Sequence, residues 1–160
     1  MRRVAVVGVV LLILIVAALA AAASQFSLSA LPEPGRVEMY LATKARHYLV
    51  QKESRESIPA PPADIQGSIE EGDDLFGTEC AACHGMSGHD PTDAGRWMYP
   101  RAADLTSREV QSYSDRELFS IIRNGIRLSG MPAFGRVETD KHIWDLVRYI
   151  RTFQVSDKQH

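Results

Sequence analysis

The sequence predicts an all-α protein, with one apolar N-terminal helix followed by a small helical domain. Three observations carry this. Val4 to Ala23 runs without a single charge. Three later stretches place apolar residues at helical spacing, two of them behind clear helix start signals. No stretch alternates apolar and polar residues over a useful strand length, and no internal repeat is present. The 160 residues suit one modest domain plus an appendage. At 45% hydrophobic and 24% charged the chain is not wholly disordered. Its 18 Lys+Arg against 20 Asp+Glu leave none of the basic excess that nucleic-acid binding needs.

The first element is residues 1–23. Met1-Arg2-Arg3 is a short basic start, and Val4–Ala23 in a helix would be about 30 Å long, the thickness of a bilayer core. Basic residues favour the cytoplasmic side, so the remainder is expected on the outer, periplasmic side of the cytoplasmic membrane, single-pass. Ala21-Ala22-Ala23 also satisfies a small-x-small cleavage site, and cleavage there would release a soluble periplasmic protein. Both readings predict export.

Residues 24–65 come next. Ser24 to Pro34 reads as a juxtamembrane linker. From Gly35 to about Glu56, Val37, Leu41, Ala45, Tyr48 and Leu49 fall at helical spacing among charges of both signs. This predicts a moderately amphipathic helix, packed on its own domain or docked on a partner. Ile58-Pro59-Ala60-Pro61-Pro62-Ala63 is too proline-rich for helix or strand and reads as a stiff spacer at a domain boundary.

The domain proper spans 66–154, with 155–160 as a tail. Ser68-Ile69-Glu70-Glu71 is a capping box, opening a helix to about Gly77 with Leu75 and Phe76 inward. Ser114-Asp115-Arg116-Glu117 is a second box. Leu118, Phe119, Ile121 and Ile122 form the buried face behind it, and Gly125 the stop. Thr139-Asp140 opens a third helix, striped by Ile143, Val147 and Ile150 with Trp144, Leu146 and Phe153 beside them. A long loop, Gly85 to Ser112, separates the first two.

The chemistry concentrates in Cys80-Ala81-Ala82-Cys83-His84, which holds the only cysteines of the chain. On a helical turn these three functional side chains share one face. A structural disulfide, a dithiol redox pair and a zinc site are the alternatives to haem. Zinc would need further ligands, and no cysteine remains to supply them. A thioredoxin-like site would need alternating strands and helices. A covalently attached c-type haem needs this set: two thiols for its vinyl groups and an imidazole for its iron. The other axial position calls for a Met, His or Lys. Among Met39, His47, Met86, His89, Met98, Met131 and His142, Met131 stands out. It lies in Ser129-Gly130-Met131-Pro132-Ala133-Phe134, between two predicted helices. Gly130 permits close backbone approach to a flat macrocycle, and Pro132 restrains Met131. A core-filling methionine is the ordinary alternative.

Residues 66–154 resemble class I mono-haem cytochromes c of the bacterial type. The resemblance rests on Gly72 and Phe76 before the motif, Cys80–Gly85, Asn124-Gly125-Ile126-Arg127, the Gly130-Met131-Pro132-Ala133-Phe134 loop and the Trp144-bearing last helix. It implies one haem c, with Cys80 and Cys83 in thioether bonds and His84 and Met131 on the iron. It also implies a proline carbonyl that accepts a hydrogen bond from the proximal His, for which Pro100 is the candidate and Pro91 the second. Trp97, Tyr99 and Arg101 become candidates for the haem pocket. Two protein axial ligands suit one-electron transfer and leave no place for a substrate. The expected protein is therefore an electron carrier and not an enzyme. Its partners would be redox proteins, such as a membrane dehydrogenase, a quinol oxidoreductase or a terminal oxidase. A fixed subunit of a larger membrane oxidoreductase is the rival, and a haem sensor the third reading.

Overall fold

A computed structural model describes residues 2–24, 29 and 31–155. The basic start (Met1, with the Arg2 and Arg3 side chains), linker residues 25–28 and 30, and tail residues 156–160 lie outside the described residues. The chain forms two compact units, Met1–Pro32 and Glu33–His160. Every regular element among the described residues is helical, as expected for the all-α class.

The first unit holds α1 (Arg2–Ser24). Val6–Ser24 within it has a mean hydropathy of 3.1, long and apolar enough to cross a membrane by length and composition. Its side chains from Val6 to Leu19 are exposed throughout.

The second unit begins with α2 (Arg36–Glu53). This helix packs with the face opposite to its apolar stripe. The inward residues are Thr43, Arg46, His47 and Val50, which share one face over two turns. His47 stacks on Tyr113 at 4.5 Å between ring centroids. Arg46 Nε donates to Tyr113 Oη at 3.3 Å, and its guanidinium pairs with Glu109. Val37, Leu41, Tyr48 and Leu49 are exposed instead. The proline-rich stretch that follows is pinned to the domain by its carbonyls. Arg116 Nη2 reaches Ser54 O and Glu56 O at 3.0 and 2.9 Å, Trp144 Nε1 donates to Pro59 O at 3.0 Å, and Arg148 Nη2 to Pro62 O at 3.1 Å. Residues 33–64, expected as a juxtamembrane segment and spacer, thus lie against the helical domain.

α3 (Ile65–Leu75) starts earlier than the expected capping box. Asp64 caps it, accepting from Gly67 N at 3.0 Å. Ser68 is buried and donates instead to Asp145 Oδ1, whose carboxylate is fully buried and also pairs with Lys141 Nζ at 2.8 Å. The local rule failed because an acid four residues upstream took the cap and a distant buried carboxylate claimed the serine. Gly72 faces the same partner helix: a β-carbon there would overlap the Asp145 carbonyl.

α3 continues into a π-helical turn, Phe76–Cys80, where Ala81 N reaches back to Phe76 O. α4 (Ala81–His84) follows, then α5 (Asp93–Arg96) and α6 (Arg108–Gln111) within the expected loop. α7 (Asp115–Asn124) has the expected Ser114 capping box, buries Leu118, Phe119 and Ile122, and ends at Gly125, whose φ of 66° a glycine adopts at least cost. A 3₁₀ turn, Phe134–Arg136, precedes α8 (Asp140–Ile150), capped by Thr139. Its Ile143, Trp144, Leu146, Val147 and Ile150 are buried as the periodicity predicts. The core joins Phe76, Leu105, Phe119, Ile122, Phe134 and these α8 residues. Phe76, Tyr149 and Phe153 form a three-ring cluster with centroids 5.2–5.4 Å apart.

Candidate haem site

Cys80 closes the π turn, and Cys83 and His84 lie on α4. The two thiols are not joined in a disulfide. Burial, with Glu79 and then Cys83 adding negative potential, pushes the Cys80 thiol up to about 12. Cys80 packs on the edge of the hydrophobic core, as a thiol destined for a thioether on an apolar macrocycle should.

His84 Nδ1 lies 2.8 Å from the carbonyl oxygen of Ala103. An Nδ1–H donated to that carbonyl leaves the Nε2 lone pair for a metal and fixes the plane of the ring. Burial holds His84 below the ordinary imidazole range, opposed by the Ala103 bond. The neutral ring that iron requires is therefore the favoured form.

The acceptor is Ala103, not the expected Pro100. Thr92 caps α5 and also donates from Oγ1 to Ala82 O at 2.6 Å, while Thr92 N reaches Cys83 O at 3.1 Å. Gly95 then lies so close to the motif that a β-carbon would overlap the Cys83 carbonyl. From this clamp, Ala102 N bonds Gly95 O at 2.9 Å and Leu105 N bonds Gly88 O at 2.7 Å. Ala103 is thus held from both sides, with its carbonyl toward His84. Asp104 binds Thr106 and His89, bracing the same turn.

Trp97 is exposed. Tyr99 Oη donates to Glu38 Oε1 at 2.5 Å, and Arg101 pairs with Glu33. The polar ends of this candidate pocket pair are engaged by residues at and just before the start of α2.

Met131 is half-buried and packs on the same core as Cys80. Its loop folds on itself: Ile126 N donates to Met131 O at 3.3 Å, Met131 N donates to Ser129 Oγ at 3.2 Å, and Gly125 abuts Pro132. Gly130 faces the sulfur of Met98, which a β-carbon there would displace.

The geometry defines a c-type cytochrome domain. Residues 67–150 match the family described as cytochrome c oxidase, cbb3-type, subunit III, and the chain belongs to that family. The fold is shared with a chain of the reducing HAO-like protein complex of Kuenenia stuttgartiensis, at a TM-score of 0.51 and 19% identity over 62% of this chain. The match spans 52% of that chain, about half its length. Cytochrome cL of Methylophaga aminisulfidivorans MPT is also similar, with a TM-score of 0.45, 19% identity, and coverage of 80% of this chain and 72% of that one. No curated protein matches. The family carries covalent haem c with its iron, and the residues here fit it: two unpaired thiols, an imidazole with one nitrogen committed to a carbonyl, and a thioether on a restrained loop that packs on the same core as Cys80.

Proposed function

We propose that this protein transfers single electrons through one haem c on the periplasmic side of the cytoplasmic membrane, with α1 as a retained anchor. The observation that carries the reading is the His84–Ala103 bond, which presents one nitrogen of a neutral, oriented ring. Haem supplies a one-electron couple at iron. Cys80 and Cys83 would hold it covalently, and His84 and Met131 would be the ligands to its iron. A neutral thioether favours the reduced state and raises the potential relative to a second histidine. Leu105, Phe119, Ile122 and Phe134, buried in the core against which Cys80 and Met131 pack, would supply the apolar wall that keeps water from the haem. With its iron ligands supplied by the chain, the protein would exchange electrons with a membrane dehydrogenase, a quinol oxidoreductase or a terminal oxidase and would take no small-molecule substrate.

A second reading, a fixed subunit of a membrane oxidoreductase, is favoured by the family's description as an oxidase subunit. Co-purification after mild detergent extraction separates the two. The test of ligation is the visible spectrum, oxidised and reduced, with and without carbon monoxide. The expected result is a red-region sulfur-to-ferric-iron band that Met131→Ala abolishes, and no response to carbon monoxide until that substitution. Ready carbon monoxide binding by the unmodified protein would overturn the carrier reading in favour of a sensor.

A further inference from the structure

We infer that the outward face of α2 lies on the membrane surface among anionic lipid headgroups; this rests on the reading of α1 as a retained anchor. The helix spends Thr43, Arg46, His47 and Val50 on its own domain. The opposite side exposes Val37 at 73%, Tyr40 at 63%, Leu41 at 59% and Tyr48 at 68%. With Lys44 and Lys52 these form a stripe about 120° wide on the helix circumference. An apolar stripe of this width normally faces a core.

Charge identifies the occupant. The stripe holds two lysines and no carboxylate. Of the acids of α2, Glu38 is turned to Tyr99 and Glu53 lies on another side of the helix. Lys44 Nζ rests 5.8 Å from the Tyr40 ring centroid, an ammonium beside an aromatic body. Tyrosines with apolar bodies and wet tips, and lysines on long apolar stems, are the side chains that settle at a bilayer interface. The lysines match anionic headgroups. A dry protein groove would have to desolvate both ammonium groups without a partner on this face.

The test uses the full-length holoprotein in phosphatidylcholine vesicles with and without phosphatidylglycerol. Spin labels at Leu41→Cys, Tyr48→Cys and Glu53→Cys report access to oxygen and to a water-soluble nickel chelate, in variants whose haem spectra match the parent. Labels at 41 and 48 should be several-fold more oxygen-accessible and nickel-shielded than the label at 53 when phosphatidylglycerol is present. Lys44→Glu/Lys52→Glu should return the label at 48 to the accessibility of the one at 53. In the unsubstituted chain, Lys44 and Lys52 should acetylate several-fold more slowly on the anionic vesicles than on the neutral ones. Equal nickel access at 41, 48 and 53 overturns the inference, and so does shielding that requires an added protein partner. Intact mass checks the anchor separately. If residues 1–23 are gone, the anchor reading fails alone, and flotation of the released protein with the anionic vesicles decides: co-migration supports the α2 surface, its absence overturns it.

Discussion

α2 and α3 both lie against later helices of the same unit, yet different forces hold them. α3 meets α8 through contacts that exclude water: Gly72 against the Asp145 backbone, Ser68 on the buried Asp145 carboxylate, and Phe76 at full burial beyond. α2 meets α7 and its surroundings through cations and carbonyls. The guanidinium of Arg46 keeps 30% of its side-chain surface exposed in its pair with Glu109, and only Val50 is buried. Exposed pairs of that kind contribute about 0.2–1 kcal/mol each, whereas a buried network costs several when broken. The two helices therefore differ in rank: α3 is part of the fold, and α2 is held on it.

The largest effect should come from Gly72→Val. The β-carbon meets backbone, which cannot rotate away, so we expect a loss of about 3 kcal/mol or more in urea unfolding of the holoprotein. A loss under about 1 kcal/mol would show that the α3–α8 crossing can open freely. Next, Asp145→Ala should cost about 2 kcal/mol, because it leaves the buried Ser68 hydroxyl without its acceptor. Asp145→Asn, which keeps an oxygen for Ser68, should recover part of that loss.

On the other side of the comparison, Trp144→Phe removes the bond to Pro59 O and should cost about 1 kcal/mol. It should also speed limited proteolysis within residues 54–62 while leaving the haem spectrum unchanged. If the stretch stays protected, the carbonyl clasps are not what holds it. Tyr149 gives a pH probe of the α3–α8 side. Burial, with a hydrogen bond to Asp73 and its charge, raises its phenol to about 12 from 10.0. The folded state thus retains a proton that the unfolded state releases, so stability is full below pH 10 and declines between pH 10 and about 12. Tyr149→Phe should flatten that alkaline decline when unfolding is followed by circular dichroism. Smallest of all, Leu41→Ser should change stability by no more than about 0.5 kcal/mol, since the stripe it belongs to faces outward. A cost of about 2 kcal/mol would mean the stripe is buried after all.

What the sequence revealed and what it hid follow one line. α7 and α8 were legible because cap, stripe and stop all lie within a few residues of each other, and tertiary packing agreed with them. The motif residues Cys80, Cys83 and His84 stood out in the sequence because haem attachment demands their types at that spacing, and Met131, the proposed second ligand, because its neighbours are unusual for a packing residue. Ser68 misled because its hydroxyl found Asp145, 77 positions away. The α2 face misled because Arg46 and His47, polar by type, pack through stacking and hydrogen bonds that no hydropathy pattern records. Ala103 left no signal at all: its role belongs to a backbone carbonyl, which every residue carries.

The π turn at Phe76–Cys80 has one more consequence. A turn with one surplus residue shifts the rotational phase of everything downstream by about 100° relative to an uninterrupted α-helix. Phe76 can thus point into the core while the following thiols and imidazole are dialled to a different azimuth. Deleting Thr78 would leave the net charge and the motif untouched and yet swing the attachment points away from their cofactor. In this segment, the count of residues is itself a functional specification.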